Sequence, residues 1–383
     1  MALHFDRAEF GERLGQVQQS MQERKLDALL LFAPESHYWL TGYDTFGFCF
    51  FQCLVLMKDG RLILFTRAPD LRQANHTSII EDIRIWIDRG ETSPVGQLKD
   101  LLFDLDLLGT EIGVEYDTQG LTASYGRQLD EALRSFAELS DVSDLVASRR
   151  AIKSPAEIVY VRKAADLADA AYLAGIEKVR AGADEGEILA TLQATVLAGG
   201  GDYPGNEFVI GSGMDALLCR YKSGRRTLAA NDQLTLEFAG VYRHYHVALM
   251  RTVIVGEPTA RHIELHEAAC AALEAVEEVM RPGHTFGDVF DAHAREMDAR
   301  DLLPHRLNAC GYSLGARFAP SWMDWPMFYR GNQAAIAPNM VLFAHMILVD
   351  SETNTAMTLG RTYITTEAAP ERLSGLPLDL AVR

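Results

Sequence analysis

Glu237 stands in the middle of an apolar run. Across residues 231–256, Leu234, Leu236 and Phe238 alternate with Thr235 and Glu237, and Val253, Ile254 and Val255 lead into Gly256. The pattern predicts two strands joined by a tight turn. A carboxylate is costly to bury there unless it is paired or hydrogen-bonded. Desolvation raises its affinity for protons, which suits base work near neutrality. Glu237 is therefore a candidate nucleophile or general base for opening an amide or related C–N bond. The plain alternative is a structural ion pair with Arg251. A polar knot follows, Tyr242, Arg243, His244, Tyr245 and His246, and His246 is a candidate proton shuttle.

Two further groups extend this chemistry. Arg220, Tyr221, Lys222, Arg225 and Arg226 form a basic cluster in an acidic chain. A planar guanidinium such as Arg220 clamps a carboxylate through two parallel hydrogen bonds, whereas a solvated loop is the ordinary reading of a charge run. Tyr312 and Arg251 are candidate donors to a developing oxyanion. Aromatic residues crowd positions 43–51 and 322–328, with Asp324 between Trp322 and Trp325. Most such rings are core, though the face of a ring such as Trp325 attracts a cation and Asp324 adds a fixed negative group. His345 lies in Phe343-Ala344-His345-Met346-Ile347, surroundings more typical of a core histidine.

The elements that must hold these residues read as follows. Helical spacing covers residues 9–24, a short buried strand 27–32, a helix ending on Gly42, and a hairpin turn at 57–61. Strands and helices then alternate, predicting an α/β domain with a mixed sheet over residues 1–150. Ser154, Pro155 and Glu157 have the form of a capping box that opens a second domain, residues 151–383. Thr285 and Asp288 repeat the device before another helix. No repeat or low-complexity tract interrupts the 383 residues.

A net charge of −17 argues against a nucleic-acid partner. No apolar run is long enough to span a bilayer, and the first residues lack the form of a signal peptide. Five scattered cysteines without metal spacing read as reduced thiols. The expectation is a cytoplasmic protein with no membrane partner.

The order of landmarks resembles the creatinase and aminopeptidase P family, the Xaa-Pro peptidase-like proteins. These landmarks are Lys153-Ser154-Pro155-Ala156-Glu157-Ile158, Ile210-Gly211-Ser212-Gly213, residues 232–256 with Arg251-Thr252, Gly311-Tyr312-Ser313-Leu314-Gly315, and Pro338-Asn339-Met340-Val341-Leu342. The resemblance covers essentially the whole chain. It implies a small N-terminal α/β domain followed by an α+β catalytic domain of the pita-bread fold. Family metallopeptidases hold two metal ions with two aspartates, a histidine and two glutamates. Those positions fall here on Glu237, Ala248, Tyr312, His345 and Gly360. Only Glu237 and His345 keep any capacity to ligate, and a bridged metal pair needs carboxylates on both sides.

The implied expectation is no metal and no other cofactor. The chain is then similar to the metal-free branch that includes creatinase and ectoine hydrolase, above all at residues 200–204 and 237–246. There the residue matching Glu237 is the catalytic carboxylate. Creatinase uses a histidine at the position of Arg220 and glutamates at those of Met250 and His345, which argues against creatine itself. The family pattern also turns His345 towards Glu237, and implies a homodimer in which one N-terminal domain covers the other active site, with Phe46 or Phe48 walling a pocket there for a cationic or cyclic ligand. The reaction implied is metal-independent hydrolysis of a C–N bond, amide or amidine, in a small zwitterionic, carboxylate-bearing compound. The alternatives are an Xaa-Pro dipeptidase-type metallopeptidase, a betaine-type lyase and a non-catalytic solute binder.

Overall fold

A computed structural model describes residues 3–220 and 226–383. The chain divides into two compact units, Met1–Arg150 and Ala151–Arg383. In the first, the elements run α1 (Arg7–Glu23), β1 (Ala28–Leu31), α2 (Pro34–Thr41), β2 (Cys53–Met57), β3 (Leu62–Thr66), α3 (Leu71–Thr77), β4 (Asp82–Ile85), α4 (Pro94–Asp104), β5 (Glu111–Val114), α5 (Ala123–Leu133), β6 (Glu138–Asp141) and α6 (Ser143–Ala151). The six strands form one mixed sheet in the order β4-β3-β2-β1-β5-β6. Both faces are buried, because alternate residues of β1 and β2 enter different cores. Leu30 and Val55 meet Leu98 and Leu129 of α4 and α5, while Leu29 and Leu54 meet Val17 and Trp39 of α1 and α2.

The second unit continues with α7 (Pro155–Ile176), α8 (Glu185–Ala198), β7 (Val209–Ser212), β8 (Asp232–Tyr242), β9 (Tyr245–Val255), α9 (Ala260–Val279), α10 (Phe286–Asp298), β10 (Ala309–Ser313), β11 (Asp324–Tyr329), β12 (Val341–Asp350) and β13 (Thr355–Ile364). Its capping boxes form as the sequence predicts. The Ser154 hydroxyl accepts from the Glu157 N–H and Thr285 from the Asp288 N–H, each with the reciprocal bond. The main path of the sheet is β11-β10-β12-β13-β9-β8-β7, antiparallel throughout. No described helix is long and apolar enough to cross a membrane.

Helices cover one face of this sheet. Leu342, Ala344, Met346 and Leu348 of β12 and Leu359 and Tyr363 of β13 share a core with α9 and α10. On the neighbouring strands, Phe238 of β8 stacks on Tyr172 of α7 at 6.5 Å between ring centroids. Gly240 lets α7 approach the strand, since a Cβ there would overlap the Ala164 carbonyl oxygen and lie 2.5 Å from the Ala168 nitrogen. Even-numbered residues of β8 and β12 thus face helices, and odd-numbered ones face the opposite side. The β8–β9 turn is two residues long, with Arg243 and His244 both at positive φ, 52° and 64°. That geometry matches the twist of the strands and fixes the register that follows.

Gly240→Ala is expected to cost about 1–3 kcal/mol or more through overpacking against the α7 backbone. Gly15, exposed in α1 with nothing within 4 Å of a built Cβ, makes the control. Gly15→Ala is expected to stabilise by roughly 0.5–1 kcal/mol. Urea unfolding of the two variants checks both signs.

Candidate active site

Strand register assembles the site. Glu237 pairs with Met250, Met250 with Gly360, and Gly360 with His345, one row across β8, β9, β13 and β12. On β10, Tyr312 pairs with Phe343 of β12, two residues before His345 and on the same face. The row borders a cavity of about 530 Å³ whose lining includes Asn206, Val209, Cys219, Arg220, Glu237, Tyr312, Trp322, Met327 and His345. All of these belong to the second unit.

Glu237 is half-buried and lines the cavity. Its Oε1 accepts a hydrogen bond from the Tyr312 hydroxyl at 3.2 Å, and the same hydroxyl accepts from the Trp322 indole N–H at 2.9 Å. Burial pushes the Glu237 carboxyl up to about 7, against the opposing pull of the Tyr312 hydroxyl and the Arg220 charge. Burial also pushes the Tyr312 phenol well above its usual range, and the Glu237 charge adds to this, so Tyr312 remains a donor. Cys219 is likewise held as a thiol by burial and by Glu237.

His345 is buried, with its Nδ1 sealed from solvent and without a described hydrogen-bond partner. Burial lowers it to about 3, with a smaller contribution from His293. It therefore stands at the cavity as a neutral imidazole, its ring 5.7 Å from that of Tyr312. Arg220 is exposed at the cavity wall, whereas Arg226 turns away to donate to Ser212 Oγ at 2.7 Å. Tyr221, Lys222 and Arg225 lie outside the described residues.

Several expectations are corrected by this geometry. His246 lies outside the described cavity lining, and both of its ring nitrogens are engaged. Nε2 accepts from the Gly205 N–H at 2.8 Å and Nδ1 points to the Gly315 carbonyl at 3.4 Å. Burial lowers it to about 3, so it stays neutral. Arg251 neither pairs with Glu237 nor reaches the cavity. It lies opposite Leu236, hence on the helix face, donating to the Met250 and Gly360 carbonyls beside the Tyr172 ring. Asp324 is buried 3.6 Å from Arg317, and it and the half-exposed Trp325 lie outside the described cavity lining. Phe46 and Phe48 belong to the first unit, where Phe46 borders a separate hollow with Phe50 and Arg67.

Trp322 and Asn206 are the site residues that sequence reasoning missed. The one usable signal is that a buried indole N–H needs an acceptor.

Residues 159–367 match the model of metallopeptidase family M24, and residues 13–152 match the creatinase/prolidase N-terminal domain. The chain belongs to family M24. Ectoine hydrolase of Halomonas elongata is 27% identical over 400 residues, spanning 100% of this chain and 99% of that protein. Xaa-Pro dipeptidase of Pyrococcus furiosus is 22% identical over 86% of this chain and 88% of its own length. Prolidase from Thermococcus sibiricus superposes with a TM-score of 0.88 at 17% identity, covering 98% of this chain and 99% of that one. A dipeptidase from Mycobacterium ulcerans does so at 0.85 and 20%, covering 99% of each. These neighbours establish the two-domain pita-bread architecture. The M24 assignment makes the protein a hydrolase acting on C–N bonds.

The residues present do not fit the metal pair that the family name implies. Among the described residues, no group of three or more His, Cys, Asp or Glu side chains could hold a metal ion. At Gly360 a Cβ would meet the Phe343 ring at 2.5 Å and Met250 Cβ at 2.9 Å. The Phe343 ring thus fills the space a ligating side chain on residue 360 would need. Glu237 and His345 alone do not fit a bridged pair.

Glu237→Gln isolates the charge. The folded carboxyl binds its proton more tightly than an unfolded one, so its contribution to stability is full below about 4.5 and lost as pH rises through about 7. The stability of Glu237→Gln relative to the natural protein is therefore expected to grow between pH 5 and pH 8. Denaturant melts at the two pH values check the sign; an equal difference at both would contradict a desolvated carboxyl.

Proposed function

We propose that this M24 hydrolase works without metal and opens a C–N bond, amide or amidine, in a small zwitterionic, carboxylate-bearing compound. Glu237 is the reacting carboxylate. The observation that carries the reading is a carboxyl held at about 7 by burial at Glu237, while the other positions that would complete a metal pair are alanine, tyrosine, histidine and a glycine overlaid by Phe343. Near neutrality a large fraction of molecules has Glu237 ionised, ready to attack the carbon or to take a proton from water. Tyr312 holds the carboxylate in place. Arg220 at the wall grips the substrate carboxylate, and neutral His345 offers a hydrogen bond near the reacting bond. A cavity of about 530 Å³ suits a compound of this size. The likeness to ectoine hydrolase along the whole chain supports the same class. Free thiols at all five cysteines accord with a cytoplasmic location, and a homodimer belongs to the same proposal.

The test is turnover of cyclic amidines, N-acyl amino acids and Xaa-Pro dipeptides by protein stripped with chelator. The expected result is hydrolysis of a zwitterion by stripped protein, and a loss of roughly 10²–10⁴-fold in Glu237→Gln with the fold intact by circular dichroism. Arg220→Ala should raise KM for carboxylate-bearing compounds by at least about tenfold. Dipeptide hydrolysis that appears only with added manganese would favour the Xaa-Pro dipeptidase reading instead. Unchanged turnover in Glu237→Gln would remove the carboxylate from the reaction.

A further inference from the structure

We propose that Trp322 is a positioning residue for the reaction: its indole N–H fixes Tyr312 as the hydrogen-bond donor to Glu237. This rests on the reading of Glu237 as the reacting carboxylate, although its principal test does not need a substrate.

An indole nitrogen can only donate, and Trp322 is buried at 1% exposure, so water does not compete for its proton. The acceptor it finds is the Tyr312 hydroxyl oxygen at 2.9 Å. A phenol carries one proton. With the indole filling the oxygen from one side, that proton goes to Glu237 Oε1 at 3.2 Å. The two bonds run in one direction, indole to phenol to carboxylate, and each strengthens the next. A phenol without the indole is free to turn, and its hold on one rotamer of Glu237 is lost.

Trp322 is itself held by groups that play no direct part in the chemistry. Its main-chain N–H donates to Asn206 Oδ1 at 3.1 Å. Gly205 lies so close to the Ser321–Trp322 peptide that a Cβ would come within 2.9 Å of the Trp322 nitrogen. The Gly205 N–H is in turn tied to His246 Nε2. The neutral imidazole of His246 thus serves the site at two removes, by fixing the segment against which Trp322 rests.

The test uses the full chain with ¹⁵N-labelled tryptophan, which gives four indole signals. Trp322→Phe identifies the Trp322 signal; should that variant not fold, Trp39→Phe, Trp86→Phe and Trp325→Phe identify it by elimination. Glu237→Gln alters a group that the relay connects to the indole only through Tyr312. It is expected to shift the Trp322 signal when Tyr312 is present and to leave it in place in a Tyr312→Phe background. A signal unmoved by Glu237→Gln, or moved equally in both backgrounds, would overturn the relay. On whichever substrate the natural protein hydrolyses, Trp322→Phe should lower kcat by about 10- to 10²-fold, with KM changed by less than about threefold. An unchanged kcat would also overturn it. A relay seen by NMR in a protein that turns over none of the compounds would count against the reaction assignment and leave the relay standing.

Discussion

The register of one hairpin fixes where Glu237, the carboxylate proposed to react, can lie. Arg243 and His244 form a two-residue turn, so Glu237 must lie opposite Met250 and share its face. Helices α7, α9 and α10 cover the other face, and on the opposite side of β8 Glu237 is left to line the cavity. A slip of one residue would bury Glu237 against Tyr172 and present Leu236 or Phe238 to the cavity. The close packing at Gly240 opposes such a slip, because only a residue without a side chain fits against the α7 backbone.

From that position the chemistry follows by subtraction and desolvation. A family frame suited to carboxylate ligands retains one of them at Glu237. Phe343 and Met250 close over Gly360, and Met250 lies directly across the hairpin from Glu237. A group brought to about 7 by burial, rather than by a neighbouring negative charge, divides between charged and neutral forms near neutrality. Tyr312 and Arg220 oppose the shift without cancelling it. The carboxylate therefore stays a usable base or nucleophile instead of a permanently protonated core residue.

Local signals in the sequence carried much of this. The helix caps at Ser154 and Thr285, the hairpin around 243–244 and the alternation about Glu237 are short-range features that act within a few residues. Tyr312 and His345 were located by family order, and they share the cavity with Glu237. Arg251 differs from its expected place by a matter of parity. Its pairing with Leu236 follows from the turn position, which sends it to the helix face. The surroundings of His246 are hidden for a different reason, since its partner Gly205 lies 41 residues earlier and donates through its main chain. Nothing in residue types announces such a contact. Trp322 lies in a loop whose course depends on Asn206 and Gly205, so its role emerges only in three dimensions.

The central claim is that Glu237 acts in a hollow no longer able to hold a metal pair. Anomalous diffraction from crystals soaked in manganese tests it most directly. The account predicts no anomalous density between Glu237 and His345, with the Phe343 ring in place over Gly360. A pair of peaks there, bridged by Glu237, would contradict it.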